Sequence, residues 1–194
     1  MSGFLHIVIG PMFAGKTTEL IRQINRFKNT DRTVMFINHA INDRSGSNEK
    51  VITHDKMFQY NKCVALDCLE DAEIEDSDII MVDELQFFDD SHVLQNWVQK
   101  QRKHVIAAGL SSDYMKRPFE SVMKLIPYAD KITHKTAICK YCGRDAPFTQ
   151  RKFKRSCSTD LEEDNVIEVA ADDLYESVCR LHHSIDFLEY RSLE

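Results

Sequence analysis

The sequence predicts an α/β protein: a mostly parallel sheet flanked by helices, with a small second unit at the C-terminal end. Three observations carry this prediction. Gly10-Pro11-Met12-Phe13-Ala14-Gly15-Lys16-Thr17 lies between an aliphatic run and a helical stripe. Short aliphatic runs and amphipathic stretches then alternate over the first 135 residues. From Thr136 the composition shifts to spaced cysteines and a charged stretch.

Taken in order, Leu5-His6-Ile7-Val8-Ile9 reads as a buried strand that runs into the glycine loop. Leu20, Ile21, Ile24 and Phe27 fall at helical spacing and predict a helix over 16–28. Further strands are predicted at 34–38, 79–82 and 104–109, each a short β-branched or aliphatic run. A second helix is predicted over 91–101, with Val93, Leu94, Trp97 and Val98 as its apolar face. Ser45-Gly46-Ser47-Asn48 has the composition of a mobile loop. Gln150 to Asn165 holds few large apolar residues, so burial poorly offsets its ordering entropy, and a lid that opens for substrate is expected there. Leu174, Tyr175, Val178 and Leu181 recur at helical spacing and predict a closing helix over 172–183. The chain divides on this reading into an α/β domain at 1–135 and a small domain at 136–194.

The glycine loop fits G-x-x-x-x-G-K-[ST], a phosphate-binding loop, and makes the fold P-loop NTPase-like. Its glycines let successive N–H groups turn toward phosphate oxygens. Lys16 reaches the β/γ-phosphates and the Thr17 hydroxyl ligates Mg²⁺. The following helix starts at the loop and points its N-terminus at the anion. Ile79-Ile80-Met81-Val82-Asp83-Glu84 is an aliphatic strand ending in two carboxylates. Alone, such a pair reads as a solvated strand end. Beside a phosphate loop, Asp83 suits the metal, and Glu84 suits a base for a hydroxyl or water attacking the γ-phosphate.

Cys139-Lys140-Tyr141-Cys142-Gly143 and Cys179-Arg180-Leu181-His182 offer three thiolates and an imidazole, a set that suits a closed, structural tetrahedral Zn²⁺. His183 competes with His182 for the fourth position. A redox C-x-x-C is the rival, but such motifs open a helix after a strand. Cys157, in the charged stretch, reads as a free thiol.

Composition narrows the function. The apolar share is 43%, with 11 Phe and 6 Tyr, which indicates a globular chain. Acidic residues outnumber basic ones 31 to 25, for a net charge of −6, which argues against nucleic acid as a partner. No apolar run approaches a membrane span, and the N-terminus has no secretory pattern. A reducing, cytoplasmic setting is therefore expected, where cysteine pairs suggest metal chemistry. A nucleic-acid motor and a zinc-based interaction module with an inactive nucleotide fold are the competing functions. Small size and negative charge disfavour the first, and intact Lys16, Thr17, Asp83 and Glu84 disfavour the second.

The chain resembles the cytosolic-type (type II) thymidine kinases over nearly its whole length. The motifs that carry the resemblance are Gly10 to Leu20, Thr53-His54-Asp55, Val82-Asp83-Glu84-Leu85-Gln86-Phe87-Phe88 and Ala107-Ala108-Gly109-Leu110, then Arg117-Pro118-Phe119, Cys139 to Cys142 and Tyr175 to Arg180. The resemblance implies transfer of the γ-phosphate of ATP to the 5′-hydroxyl of thymidine or deoxyuridine, with Glu84 as the base and Asp83 in support of Mg²⁺. It adds Thr18, Gln86 and Arg44 to the phosphate-binding set. It implies a thymine pocket of Met12, Phe87, Leu110, Tyr114, Phe119, Thr149, Ala170, Ala171 and Tyr175, covered by a lasso held by zinc. Phe119 and Phe88 also suit plain core packing, Phe88 more so. A homotetramer or homodimer, and inhibition by the end product dTTP, are implied as well. Three departures stand out: Ala170-Ala171 where the family has Gly-Gly, Asn42 where an Asp is usual, and an unusual Lys152–Asn165 stretch.

Overall fold

A computed structural model describes residues 2–27, 29–42, 62–152 and 174–183. Six parallel strands form the main sheet: β1 (Phe4–Gly10), β2 (Val34–His39), β3 (Lys62–Leu66), β4 (Ile79–Val82), β5 (His104–Leu110) and β6 (Lys131–His134). Their order is β3-β2-β4-β5-β1-β6. The four predicted strands are the four inner ones. The two outer strands have only one neighbour each, and Lys62-Cys63-Val64-Ala65-Leu66 and Lys131-Ile132-Thr133-His134 lack the unbroken aliphatic run of a strand buried on both faces.

Side chains alternate between two cores, as the strand period requires. On one face Leu5, Ile7, Met35, Ile37, Ile80, Val82, Val105 and Ala107 pack with Val93, Leu94 and Trp97 of α2 (Val93–Gln99) and Val122 of α3 (Glu120–Met123). On the other, Val8, Phe36, Met81, Ile106 and Ala108 meet Leu20 and Ile24 of α1 (Lys16–Phe27). Each fully buried large side chain contributes roughly 1.5–3 kcal/mol. Phe88 is one of them, fully enclosed in the first core.

Beyond β6 the chain forms two small antiparallel pairs. β7 (Ala137–Ile138) pairs with β8 (Asp145–Ala146), and β9 (Phe148–Arg151) pairs with β10 (Tyr175–Val178). The closing helix expected over 172–183 is corrected by β10 and a 3₁₀ turn at Arg180–His182. Tyr175, Glu176, Ser177 and Val178 are all buried, so the run has no single apolar face. Pairing with β9 outweighs an accidental helical spacing. The loop at 45–48 lies outside the described residues, as does nearly all of the expected lid.

Two buried ionisable groups flank the start of α1. His6 is shut inside β1, with Nε2 2.9 Å from the Thr133 hydroxyl. Burial, reinforced by Lys131, lowers its pKa from 6.5 to about 4. Glu19 accepts two bonds from Arg22 (2.7 and 2.6 Å) and one from Gln23 (2.6 Å). Those from Arg22 chiefly hold its carboxyl down at about 2, against burial. The unfolded chain takes up the His6 proton between pH 6.5 and about 4, so stability falls as pH falls through that window. Glu19 contributes stability that is present above 4.5 and lost toward about 2. The urea midpoint of the wild type is expected to drop from pH 7 to pH 4 and that of His6→Asn to drop less. Parallel curves for the two proteins would remove His6 as a cause.

Candidate active site

The site gathers at the C-terminal edge of the sheet, where β5 lies between β1 and β4. β1 delivers the phosphate loop, and β4 delivers Asp83 and Glu84. Gly10 is required by close approach: a Cβ there would stand 2.5 Å from the Lys135 carbonyl oxygen. Gly15 sits at φ +69°, in the left-handed region that favours glycine. Ala14 is buried, and Thr18 lies in the first turn of α1 beside Gly15.

Lys16 folds back over the loop, its Nζ donating to the Pro11 carbonyl at 2.8 Å. Burial pulls its pKa down, and Glu84 and Asp83 oppose that pull. The Thr17 hydroxyl donates to Asp83 Oδ2 at 2.6 Å, and the Glu84 N–H donates to Asp83 Oδ1 at 3.0 Å. Burial, then the neighbouring Glu84 charge, lifts the Asp83 carboxyl to about 7. A carboxylate destabilised in this way, with a hydroxyl against it, is a donor set that fits a hard divalent cation such as Mg²⁺.

Glu84 itself adopts φ 55°, ψ 41°. A bulky residue in this left-handed conformation stores roughly 1–3 kcal/mol of strain, which typically marks a functional position. Gln86 holds the carboxylate from behind. Its Nε2 donates to Glu84 Oε2 at 2.6 Å, while its Oε1 accepts from the Leu110 N–H at 3.0 Å. The Gln86 amide is thus engaged at both ends and links the ends of β4 and β5.

Two pairs form among the residues assigned to a nucleoside pocket. The Met12 N–H donates to the Thr149 hydroxyl at 3.0 Å. The Tyr114 and Tyr175 rings lie 6.4 Å apart. Phe87 stands 5.6 Å from the His39 ring. Phe119 packs against the first core at the start of α3. Arg44, Ala170 and Ala171 lie outside the described residues, as do Thr53-His54-Asp55.

Several residues around the site had no role in the sequence reading. Asp113 accepts from the Met115 and Arg117 amides (2.8 and 2.9 Å) and from Arg117 Nε (2.6 Å), which shapes the loop that carries Tyr114. Glu176 accepts from the Tyr141 hydroxyl and, at 3.3 Å, from Gln150. The Ser177 hydroxyl donates to the Met12 carbonyl at 2.8 Å. Alternation along β10 would have flagged Ser177 as facing the same way as Tyr175, had the segment been read as a strand.

Cys139, Cys142, Cys179 and His182 converge, with all four ligand atoms within 4.8 Å of one another. Cys139 Sγ lies 3.5 Å and Cys179 Sγ 3.3 Å from His182 Nδ1, and the Cys142 and Cys179 sulfurs are 3.7 Å apart. A tetrahedron built on ordinary zinc bond lengths has S···S edges of about 3.8 Å and S···N edges of about 3.5 Å. The cluster fits zinc on that measure. Burial pushes the Cys139 thiol up, but backbone N–H groups around it outweigh burial and bring it down to about 6, which favours the thiolate a metal needs. His183 is not in the cluster; it is fully buried, edge-on to Phe148 at 5.6 Å. The Cys139–Cys142 turn joins β7 to β8, not a strand to a helix, so the redox arrangement is absent there.

Residues 3–183 match the family model described as thymidine kinase. Similar proteins include the thymidine kinase of Choristoneura fumiferana entomopoxvirus, 38% identical over 182 residues that cover 91% of this chain and 94% of that one. The thymidine kinase of Oryza sativa subsp. japonica is 39% identical, covering 93% of this chain and 66% of its own. Thymidine kinase 1 of Dictyostelium discoideum is 34% identical, covering 93% and 77%. The family match runs from the start of β1 through the turn that carries His182, so it takes in the phosphate loop, the carboxylate pair and the Cys₃His cluster together: the chain belongs to the thymidine kinase family.

Proposed function

We propose that this chain transfers the γ-phosphate of Mg-ATP to the 5′-hydroxyl of thymidine, and of deoxyuridine, giving the nucleoside monophosphate and ADP. The observation that carries this reading is the contact of Thr17 with Asp83, with Glu84 held next to it by Gln86. Lys16 exchanges the Pro11 carbonyl for the β- and γ-phosphate oxygens, while Gly10 to Thr18 wrap the phosphates with backbone N–H groups. Thr17 and Asp83 would hold Mg²⁺, which would supply charge neutralisation for the transferring phosphoryl group. Glu84 accepts the proton of the attacking 5′-hydroxyl, and Arg44 lies near the reacting phosphates.

Met12, Phe87, Leu110, Tyr114, Phe119, Thr149, Ala170, Ala171 and Tyr175 form the thymine pocket. A flat pyrimidine suits apolar walls with polar groups at the rim. Zinc in the Cys₃His cluster would tie together the unit at 136–194, to which all four ligands belong, and that unit reaches the α/β domain at 1–135 through Thr149 and Ser177. The functional form is a homotetramer or homodimer, inhibited by dTTP, and a cytoplasmic setting keeps the thiols reduced.

Three measurements test the proposal. A phosphoryl-transfer assay across the four deoxynucleosides with Mg-ATP should show turnover of thymidine and little of the purines; equal turnover of deoxyguanosine would refute a one-ring pocket. Glu84→Gln should lower kcat by about 10²–10⁴-fold while thymidine still binds, since general bases contribute on that order. Activity within threefold of wild type, by the same rule of thumb, would take the base role away from Glu84. Metal analysis should find about one zinc per chain, lost in His182→Ala and kept in His183→Ala; the reverse pattern would reassign the fourth ligand.

A further inference from the structure

Ser177 and Thr149 face each other across the β9–β10 ladder, and both are buried. Their hydroxyls close on a single residue of the phosphate loop. Ser177 Oγ donates to the Met12 carbonyl at 2.8 Å, and the Met12 N–H donates to Thr149 Oγ1 at 3.0 Å. Met12 commits both of its backbone groups to this strand pair.

Ser177 is also tied to the Cys₃His cluster. Its carbonyl accepts from the Lys140 N–H at 3.2 Å, and Lys140 lies between the ligands Cys139 and Cys142. Cys179 follows two residues later. Glu176, next in the chain, accepts from the Tyr141 hydroxyl and stands 3.6 Å from Lys140 Nζ, so the same turn grips β10 by side chains too. A second connection is apolar: Ala14 of the loop shares a small cluster with Cys139 and Cys179.

We propose that Ser177 is a positioning residue that couples the Cys₃His cluster to the phosphate loop, so that nucleotide and zinc each tighten the binding of the other. The inference rests on the kinase reading of the loop and on zinc in the cluster. A nucleotide needs the loop amides held in one arrangement, and the hydroxyl pair grips Met12 in such an arrangement. Metal bonds fix the turn at Lys140 that seats the Ser177 carbonyl. Two sites that stabilise one shared geometry raise each other's affinity by the same factor.

The test measures zinc affinity of the full chain by competition with a chelator that fixes free zinc, with and without saturating Mg-ATP and with no nucleoside. Mg-ATP should tighten zinc binding in the wild type by about fivefold or more, the lower end for coupled sites. Ser177→Ala should still fill its metal site but lose the response to Mg-ATP. Ser177→Thr, which keeps the hydroxyl, should retain the response. The proposal is overturned by a wild type indifferent to Mg-ATP, or by an alanine variant with the full response. It is also overturned by an alanine variant that cannot hold zinc even with Mg-ATP present, because Ser177 would then serve only the fold of the metal unit. A wild type that binds no Mg-ATP, or no zinc, removes the underlying reading and the proposal with it.

Discussion

A phosphate loop must keep its N–H groups turned inward for an anion, so the constraint on its shape has to come from outside it. Here that constraint comes from three directions. The Lys135 carbonyl presses on Gly10 so closely that no side chain fits. Thr149 and Ser177 hold Met12 by both backbone groups. Ala14 is buried among residues of the two small sheets. The first contact comes from the residue that follows the edge strand β6, and the other two from the C-terminal strand pairs. Preorganisation of the loop therefore depends on the assembled chain as well as on the local sequence.

The electrostatics follow from the placement. The parallel sheet brings the ends of β1 and β4 to the same edge with β5 between them, so the Lys16 ammonium lies near two carboxylates, of which Asp83 is buried. Burial weakens the charge on both Lys16 and Asp83. Groups arranged this way would be stabilised by opposite charge, an anion for the lysine and a cation for the aspartate. Glu84 is held by the neutral Gln86 amide, as Asp83 is by the neutral Thr17 hydroxyl. Its left-handed backbone is the local cost of turning the chain sharply at that point.

Much of this was legible in the sequence because the signals were local. The glycine loop, the aliphatic strand before Asp83 and the stripe of α1 each report a structure that neighbours in sequence determine. The two outer strands were not legible, because edge strands lack the double burial that produces an aliphatic run. β10 was misread because Leu174, Tyr175, Val178 and Leu181 match a helical spacing, while the ladder that decides the matter comes from β9, more than twenty residues away. The choice between His182 and His183 was likewise undecidable from adjacent identical residues. Chain direction after Cys179 settles it, turning one ring toward the sulfurs and the other into the apolar interior beside Phe148. Ser177 carried no signal at all until the strand pairing was known.

The unit built from the two small strand pairs has little apolar core of its own. Its apolar cluster consists of Ala14, Ala137, Cys139, Ala146, Val178 and Cys179, with Phe148 against it. These are mostly small side chains, and one of them belongs to the phosphate loop. Two-stranded sheets are marginal alone, and so little apolar burial does not offset the entropy of ordering them. Cys139, Cys142, Cys179 and His182 lie together in this unit, and a metal bound there would supply what the small core lacks. The same strands hold Met12 through Thr149 and Ser177 and place Tyr175 beside Tyr114. Cys179 thus sits two residues from Ser177, and a metal bound at the cluster would bear directly on how firmly Met12 is held.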